Sequence, residues 1–347
     1  MVSVDSEIVV SVCMVTYNHE KYIAQAIDSI LMQVVDFKYE IVIGEDCSTD
    51  NTRKIIMDYA AKYPDKFKLL LHEKNIGMMP NVKATLKACS GKYIASLEGD
   101  DYWTDPEKLQ IQITEMNNHP ECHLSFHPAD EIIDNVLSGK VWGDHGAKNK
   151  VFTDIEMLRG IGNVFCPSAS MVMCREVLDP LPPFFATAPV GDNFIQFLGS
   201  LNGGALYIAR KMSIYRRENL DSWSSTMTKL DKLSVESLIE NRSNHIVRYI
   251  ESLDEMANFI DNKYREEVDK IISENLLSLS ILYLTNDMDK DFRRIIVQSY
   301  DTYKPVSFLQ IILYRFRRVA WLAKKLIKLH TNQNIIKVYL HLKNIKK

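Results

Sequence analysis

Glu98, Asp100 and Asp101 place three carboxylates within four residues. Crowding carboxylates costs electrostatic energy unless a cation or hydrogen-bond donors offset the repulsion. Hard oxygen donors of this kind suit Mg²⁺ or Mn²⁺, which in turn would hold a diphosphate. The competing reading is a solvated acidic turn ahead of a helix. A further carboxylate, Asp192, stands in the segment Val190-Gly191-Asp192-Asn193-Phe194, where a helix is predicted to begin and its dipole favours negative charge.

These residues need elements to carry them. Tyr93–Leu97 is an apolar run that reads as a buried strand ending at Glu98, and Pro106 opens a helix from Glu107 onward. Upstream, Ile8–Val15 is a β-branched run suited to a strand buried on both faces, followed by Thr16-Tyr17-Asn18-His19 and a helix over Glu20–Met32. Tyr39–Gly44 is a second strand. It leads into Glu45-Asp46-Cys47-Ser48-Thr49-Asp50, where Ser48 or Asp50 can cap a helix over Thr52–Tyr63. A strand at Phe67–Leu71, a loop through Asn75-Ile76-Gly77 and a helix over Asn81–Cys89 complete an alternating β-α pattern. That pattern predicts an α/β fold with a doubly wound, mostly parallel sheet flanked by helices. Ligands in such sheets sit beyond the carboxyl ends of the strands, so one cleft can collect Thr16, Asp46 and the 98–101 cluster. Shorter strands are expected over 121–127, 131–136, 165–173, 205–208 and 211–215. A loop is expected at Val141–Lys150 and helices at Phe152–Arg159 and from Val190.

The 347 residues predict one large or two smaller domains. From about Met227 the strand signals stop and long amphipathic segments take over, giving an expected division at 1–226 and 227–347. The net charge of −3 argues against a nucleic-acid partner. It conceals ten Lys or Arg and no Asp or Glu from Ile311 to Lys347, which leaves −13 on the remainder. Six cysteines without CxxC spacing indicate neither a zinc site nor a disulfide framework and suit a reducing cytoplasm. No signal peptide and no run of 18 apolar residues is seen. The absence of GxGxxG and GxxxxGK[ST] counts against dinucleotide-binding and P-loop readings.

Taken in order, Val12–Asn18, Glu45–Thr52 and Glu98–Asp101 make the chain resemble the family 2 glycosyltransferases over about residues 8 to 225. The resemblance implies the GT-A fold and an inverting enzyme that moves a sugar from a nucleotide-diphosphate donor, a UDP-sugar by preference, to a hydroxyl acceptor. It implies donor contacts at Thr16, Tyr17, Asn18, Asp46, Glu98, Asp100 and Arg216, with Asp46 bonding a ring N–H of the base. Capping of the following helix is the other reading of Asp46. The resemblance also implies Mg²⁺ or Mn²⁺ as cofactor, held by Asp100 or Asp101 in a motif whose first position is Glu98 here. Asp192 matches the family's general base. Tyr215-Arg216-Arg217-Glu218 resembles an element whose last position often ligates the metal, which nominates Glu218. Tyr102 and Trp103 either stack on a ligand or pack the turn, and His127 reads as a core or rim histidine.

A basic helix expected over Phe308–His330 gathers Arg317, Arg318, Lys324, Lys325 and Lys328 on one side and Ile312, Phe316, Val319, Leu322, Leu326 and Leu329 on the other. That pattern fits peripheral contact with an anionic membrane, or a packed terminal helix whose basic face is solvated. By family analogy the acceptor is polyprenyl-diphosphate-linked and the product a polysaccharide or glycoconjugate. The expected location is therefore cytoplasmic, on the inner face of the plasma membrane. The alternatives are a nucleotidyltransferase on a related sheet and a non-catalytic nucleotide-sugar-binding scaffold. A nucleotidyltransferase would want a Gly-rich basic loop after the first strand, which Thr16–Lys21 lacks.

Overall fold

The computed structural model describes residues 7–160, 166–178, 180–186, 188–189, 191–201, 203–217 and 234–327. The chain divides into two compact units, Met1–Lys232 and Leu233–Lys347.

In the first unit the expected alternation appears: β1 (Val10–Thr16), α1 (Ile23–Leu31), β2 (Tyr39–Glu45), α2 (Thr52–Lys62), β3 (Phe67–Leu71), α3 (Met78–Ala88) and β4 (Tyr93–Glu98). Then come β5 (Tyr102–Trp103), α4 (Lys108–Asn118), β6 (Leu124–Phe126), β7 (Ala129–Ile133), β8 (Val136–Trp142), β9 (Lys150–Phe152) and α5 (Asp154–Arg159). The unit closes with β10 (Val172–Cys174), α6 (Asp192–Ser200), β11 (Ala205–Tyr207) and β12 (Ser213–Arg217).

The main sheet has eight strands in the order β3-β2-β1-β4-β10-β6-β11-β9. β3, β2, β1 and β4 are mutually parallel, and β10 runs antiparallel to both its neighbours. β9 pairs antiparallel with β11 at the far edge. The sheet is thus mixed but mostly parallel, as the pattern predicts. Val10, Val12 and Met14 face Ile23, Ile27 and Ile30 of α1 and Leu109, Ile113 and Met116 of α4 in one buried cluster. Ser11 and Cys13 alternate to the opposite face, where Cys13 meets Cys89 at the end of α3. Burial on both faces explains why β1 is apolar without alternation.

A second sheet, β5-β12-β7-β8, lies beside the acidic turn. It corrects the expectation of a loop from Val141. Asp134 and Asn135 both take positive φ (51° and 64°) and turn the chain so that β8 pairs antiparallel with β7. Asp-Asn at two left-handed positions is a tight hairpin signal, overlooked because exposed β8 carries little apolar alternation. Residues 166–171, expected in a strand, instead include a 3₁₀ turn at Ser168–Ser170, and only Val172–Cys174 joins the sheet.

The second unit contains α7 (Val235–Phe259), α8 (Arg265–Thr285), α9 (Asp289–Thr302) and α10 (Phe308–Arg315). The single basic helix expected over Phe308–His330 is interrupted. α10 stops at Arg315 and helix resumes over 320–327, with residues beyond 327 outside the described set. Leu313, Ala320 and Ala323 turn inward onto Leu284, Phe292 and Ile296, so Ala320 and Ala323, not Phe316 and Val319, supply the buried side. Packing, not helix propensity, sets the break. Among the described residues no helix is long and apolar enough to cross a membrane.

Candidate active site

The carboxyl ends of β1, β2 and β4 lie side by side, with Thr16 opposite Glu45 and Val15 opposite Glu98 in the ladder. Their three turns therefore meet at one edge of the sheet. After β1, Asn18 adopts a left-handed φ of 57°, which Asn tolerates. Its side chain accepts from Thr49 N–H (2.8 Å), and its own N–H donates to Ser48 Oγ (3.0 Å). Glu20 N–H donates to Asp50, whose other oxygen accepts from Thr52 N–H and caps α2. Thr16 is buried, and Tyr17 stands at the lip, 38% exposed.

Two residues of the β2 turn hold it from beneath. Glu45 is fully buried, accepts from Ser48 N–H (2.5 Å) and pairs with the Arg53 guanidinium, which also donates to the His72 carbonyl. Asp46 does not cap α2. Its two oxygens accept from Ile76 N–H (2.8 Å) and Gly77 N–H (2.9 Å), latching the loop that opens α3. Sequence reasoning gave Glu45 no role of its own, because its importance lies in partners 8 and 27 residues away.

At the end of β4, Gly99 allows the closest approach. A Cβ there would stand 2.6 Å from Thr16 Oγ1 and 2.8 Å from His19 Nδ1. His19 accordingly sits between the two turns, with Nδ1 3.1 Å from Thr16 Oγ1 and Nε2 4.0 Å from Asp100 Oδ2. The sequence reading passed over His19; its place directly after the Thr16–Asn18 turn was the available signal. Asp101 Oδ1 accepts from Arg216 N–H (2.8 Å), while Oδ2 is buried without a partner. Burial holds the Asp101 carboxyl well above the usual carboxylate range; Asp100 adds to the rise and Arg216 opposes it. Glu98, half-buried, is also pushed well up, first by burial and then by the charges of Asp100, Asp192 and Asp101.

Asp192 opens α6. Its presence among the charges acting on Glu98 brings it to the acidic cluster from more than 90 residues away. Solvent reaches Asp192, yet protein surrounds it closely enough to raise its carboxyl. Cys166 is buried nearby, its thiol pushed up by burial and by the Asp192 charge. Gly191 packs against Phe185 and Met79, joining the start of α6 to the start of α3.

Arg216 is not available as a free phosphate clamp. It is 6% exposed, its Nε donates to the Asp100 carbonyl, and its two terminal nitrogens donate to Asn135 and Gln25. Trp103 does not reach a ligand either: it is 1% exposed, and its Nε1 donates to the Ala169 carbonyl under the Lys108 amine. His127 is a core residue, its Nδ1 3.0 Å from the Pro128 carbonyl and its pKa pushed down by burial. Glu218 lies outside the described residues.

The unpartnered Asp101 oxygen and the raised carboxyls of Glu98 and Asp101 are a donor set that a hard divalent cation satisfies. Among the described residues no group of three or more His, Cys, Asp or Glu side chains could by itself hold a metal ion. A cation that takes most of its oxygens from diphosphate and water needs only one or two carboxylates.

Comparison with known proteins bears on the family and the fold. A relative from Mycobacterium tuberculosis, itself uncharacterized, is 32% identical over 222 residues, covering 63% of this chain and 61% of its own. The UDP-Glc:alpha-D-GlcNAc-diphosphoundecaprenol beta-1,3-glucosyltransferase WfgD of Escherichia coli is 32% identical over 172 residues, 49% of this chain and 62% of that one. The chain thus spans about three-fifths of the length of these relatives. Among solved structures, S. aureus TarS 1–349 in complex with UDP-GlcNAc superimposes with a TM-score of 0.61 at 17% identity, covering 92% of this chain and 88% of that chain. The mannosyltransferase PcManGT from Pyrobaculum calidifontis, in complex with GDP-Man and Mn²⁺, gives a TM-score of 0.51 at 11% identity over 92% and 86%. Both structural likenesses bear on the fold alone. Residues 11–180 match the family described as Glycosyl transferase family 2, so over that span the chain carries a family 2 glycosyltransferase domain.

Proposed function

We propose that the protein is an inverting glycosyltransferase that takes a sugar from a nucleotide-diphosphate donor, a UDP-sugar by preference, to a hydroxyl of a lipid-linked acceptor in polysaccharide or glycoconjugate assembly. The observation that carries the reading is the gathering of Glu98, Asp100 and Asp101 at the carboxyl edge of the sheet, within reach of the Asp192 charge at Glu98. In this reading the acceptor oxygen attacks the anomeric carbon, Asp192 takes the hydroxyl proton, and the bond from that carbon to the diphosphate oxygen breaks on the opposite side. One carboxylate suffices as base, in contrast to glycoside hydrolysis, which uses a carboxyl pair. Thr16, Tyr17 and the 45–50 turn form the wall for the nucleoside, with Asp46 holding the 75–77 loop in place. Asp100 and Asp101 would hold Mg²⁺ or Mn²⁺, which neutralises charge on the leaving diphosphate. A UDP-sugar and a diphosphoundecaprenol acceptor are what the E. coli relative's name states of that protein, and UDP-GlcNAc is bound in TarS.

The test is a thermal-shift screen of the purified protein against UDP, GDP, CDP and dTDP, each with Mn²⁺ and with EDTA. The expected result is stabilisation by UDP that requires the metal, since a ligand raises stability by mass action. No response to any nucleotide overturns the reading, and a response indifferent to metal removes Asp100 and Asp101 from it.

A further inference from the structure

Arg216 makes a set of bonds that suits holding protein better than holding substrate. Its Nε donates to the Asp100 carbonyl (2.8 Å), Nη1 to Asn135 Oδ1 (2.5 Å) and Nη2 to Gln25 Oε1 (2.9 Å). Its own N–H donates to Asp101 Oδ1 (2.8 Å). The guanidinium carbon lies 4.4 Å from the Tyr22 ring centre and 5.7 Å from that of Tyr102. A planar fork with donors on three nitrogens can serve three acceptors in fixed directions, which a lysine cannot.

Each acceptor belongs to a different element. Gln25 sits on α1, Asn135 on the β7–β8 turn, and the Asp100 carbonyl on the acidic turn. Asn135 occupies the second left-handed position of its turn, where Asn is tolerated for backbone reasons, and its side chain still reaches Arg216. The acidic turn needs such restraint, because its carboxylates repel one another and Asp101 Oδ2 has no partner of its own.

We propose that Arg216, with Gln25 and Asn135 as its anchors, is a positioning residue that fixes the Asp100–Asp101 backbone and so aims both carboxylates at the cation-diphosphate. The inference rests on the metal-assisted reading above and assigns a role to two surface residues outside the catalytic edge. Partners of this outer kind tune metal affinity without touching the metal.

The experiment measures UDP binding by thermal shift across a Mn²⁺ titration and again in EDTA, for wild type, Asn135→Gly, Gln25→Ala and Arg216→Lys. Asn135→Asp and Gln25→Glu, which keep the acceptor oxygen, serve as rescues. Asn135 and Gln25 are exposed, so their variants keep the fold, and the unliganded Tm of each protein separates unfolding from lost affinity. We expect Asn135→Gly, Gln25→Ala and Arg216→Lys to raise the Mn²⁺ needed for UDP binding about tenfold. In EDTA none of the proteins should respond to UDP, UDP binding at saturating Mn²⁺ should match wild type, and both rescues should return toward wild type. Unaltered Mn²⁺ dependence in Asn135→Gly and Gln25→Ala overturns the inference. So does an Arg216→Lys loss that persists at saturating Mn²⁺, which makes Arg216 a direct diphosphate contact. If wild type binds no nucleotide, the metal-assisted reading itself falls and takes the inference with it.

Discussion

One environment raises the carboxyls of both Asp192 and Glu98, with a different consequence for each. Replacing Asp192 with Asn keeps its shape at the start of α6 and removes the proton acceptor. Turnover should fall on the order of 10²–10⁴-fold with UDP binding intact, read by donor turnover beside thermal shift. Because burial raises the Asp192 pKa, the acidic limb of wild-type turnover should lie above the ordinary Asp value of about 4. A limb at or below that value would detach Asp192 from the proton transfer. Glu98 behaves differently. Its folded pKa stands above its unfolded value, so its stabilising contribution is complete only below about pH 4 and is lost as pH rises through the folded pKa. At neutral pH without divalent cation, Glu98→Gln should therefore raise Tm by about 2–4 °C, equivalent to ~1 kcal/mol. The difference should close at acid pH. A lower Tm in the Gln variant at neutral pH would show that the repulsion is already neutralised.

The turns, not the strands, carry the site at the scale of elements. Asp46 accepts from two backbone N–H groups of the 75–77 loop from the end of β2; Gly77 N–H has Asn75 Oδ1 as a second acceptor, but Ile76 N–H is costly to leave unpaired. Asp46→Ala should destabilise the protein by about 1–3 kcal/mol, open that loop to limited proteolysis and weaken nucleotide binding. Asp46→Asn, which keeps one acceptor oxygen, should fall between. Protease resistance equal to wild type would mean the loop is held from elsewhere. The strands β1 and β2 were legible because burial on both faces writes itself as β-branched runs, whereas the edge strand β3 showed only as a short apolar run. β8 was not, since five of its seven residues are exposed and its turn depends on backbone angles at Asp134 and Asn135.

Viewed as a whole molecule, the catalytic edge is drawn entirely from the unit Met1–Lys232, while Leu233–Lys347 is helical wherever it is described apart from short connections. Residues 1–232 expressed alone should stay monodisperse on size exclusion and keep the metal-dependent UDP response of the full chain. Binding of the full chain to anionic vesicles, weakened by salt and missing from residues 1–232, would place membrane contact in the basic C-terminal region. Phe308 and Trp321 remain exposed there, although Lys324 is engaged with Asp287 and Asp289. Vesicle binding retained by residues 1–232 would remove that role from the C-terminal region.

What the sequence determined by itself is local: the β-α alternation, the three acidic and polar turns at strand ends, and Asp192 at a helix start. Each of these follows from periodicity or from neighbours a few residues away. Only the tertiary structure decided which of those residues are already engaged by partners within the protein. Arg216 meets Gln25 across 191 residues and Asn135 across 81, and those bonds turn it from a candidate phosphate contact into a brace. Trp103 became core by the same route, through a carbonyl 66 residues away. The physical reason is that a polar side chain's role is set by the partners that satisfy it, and those partners are supplied by the fold, not by adjacent sequence.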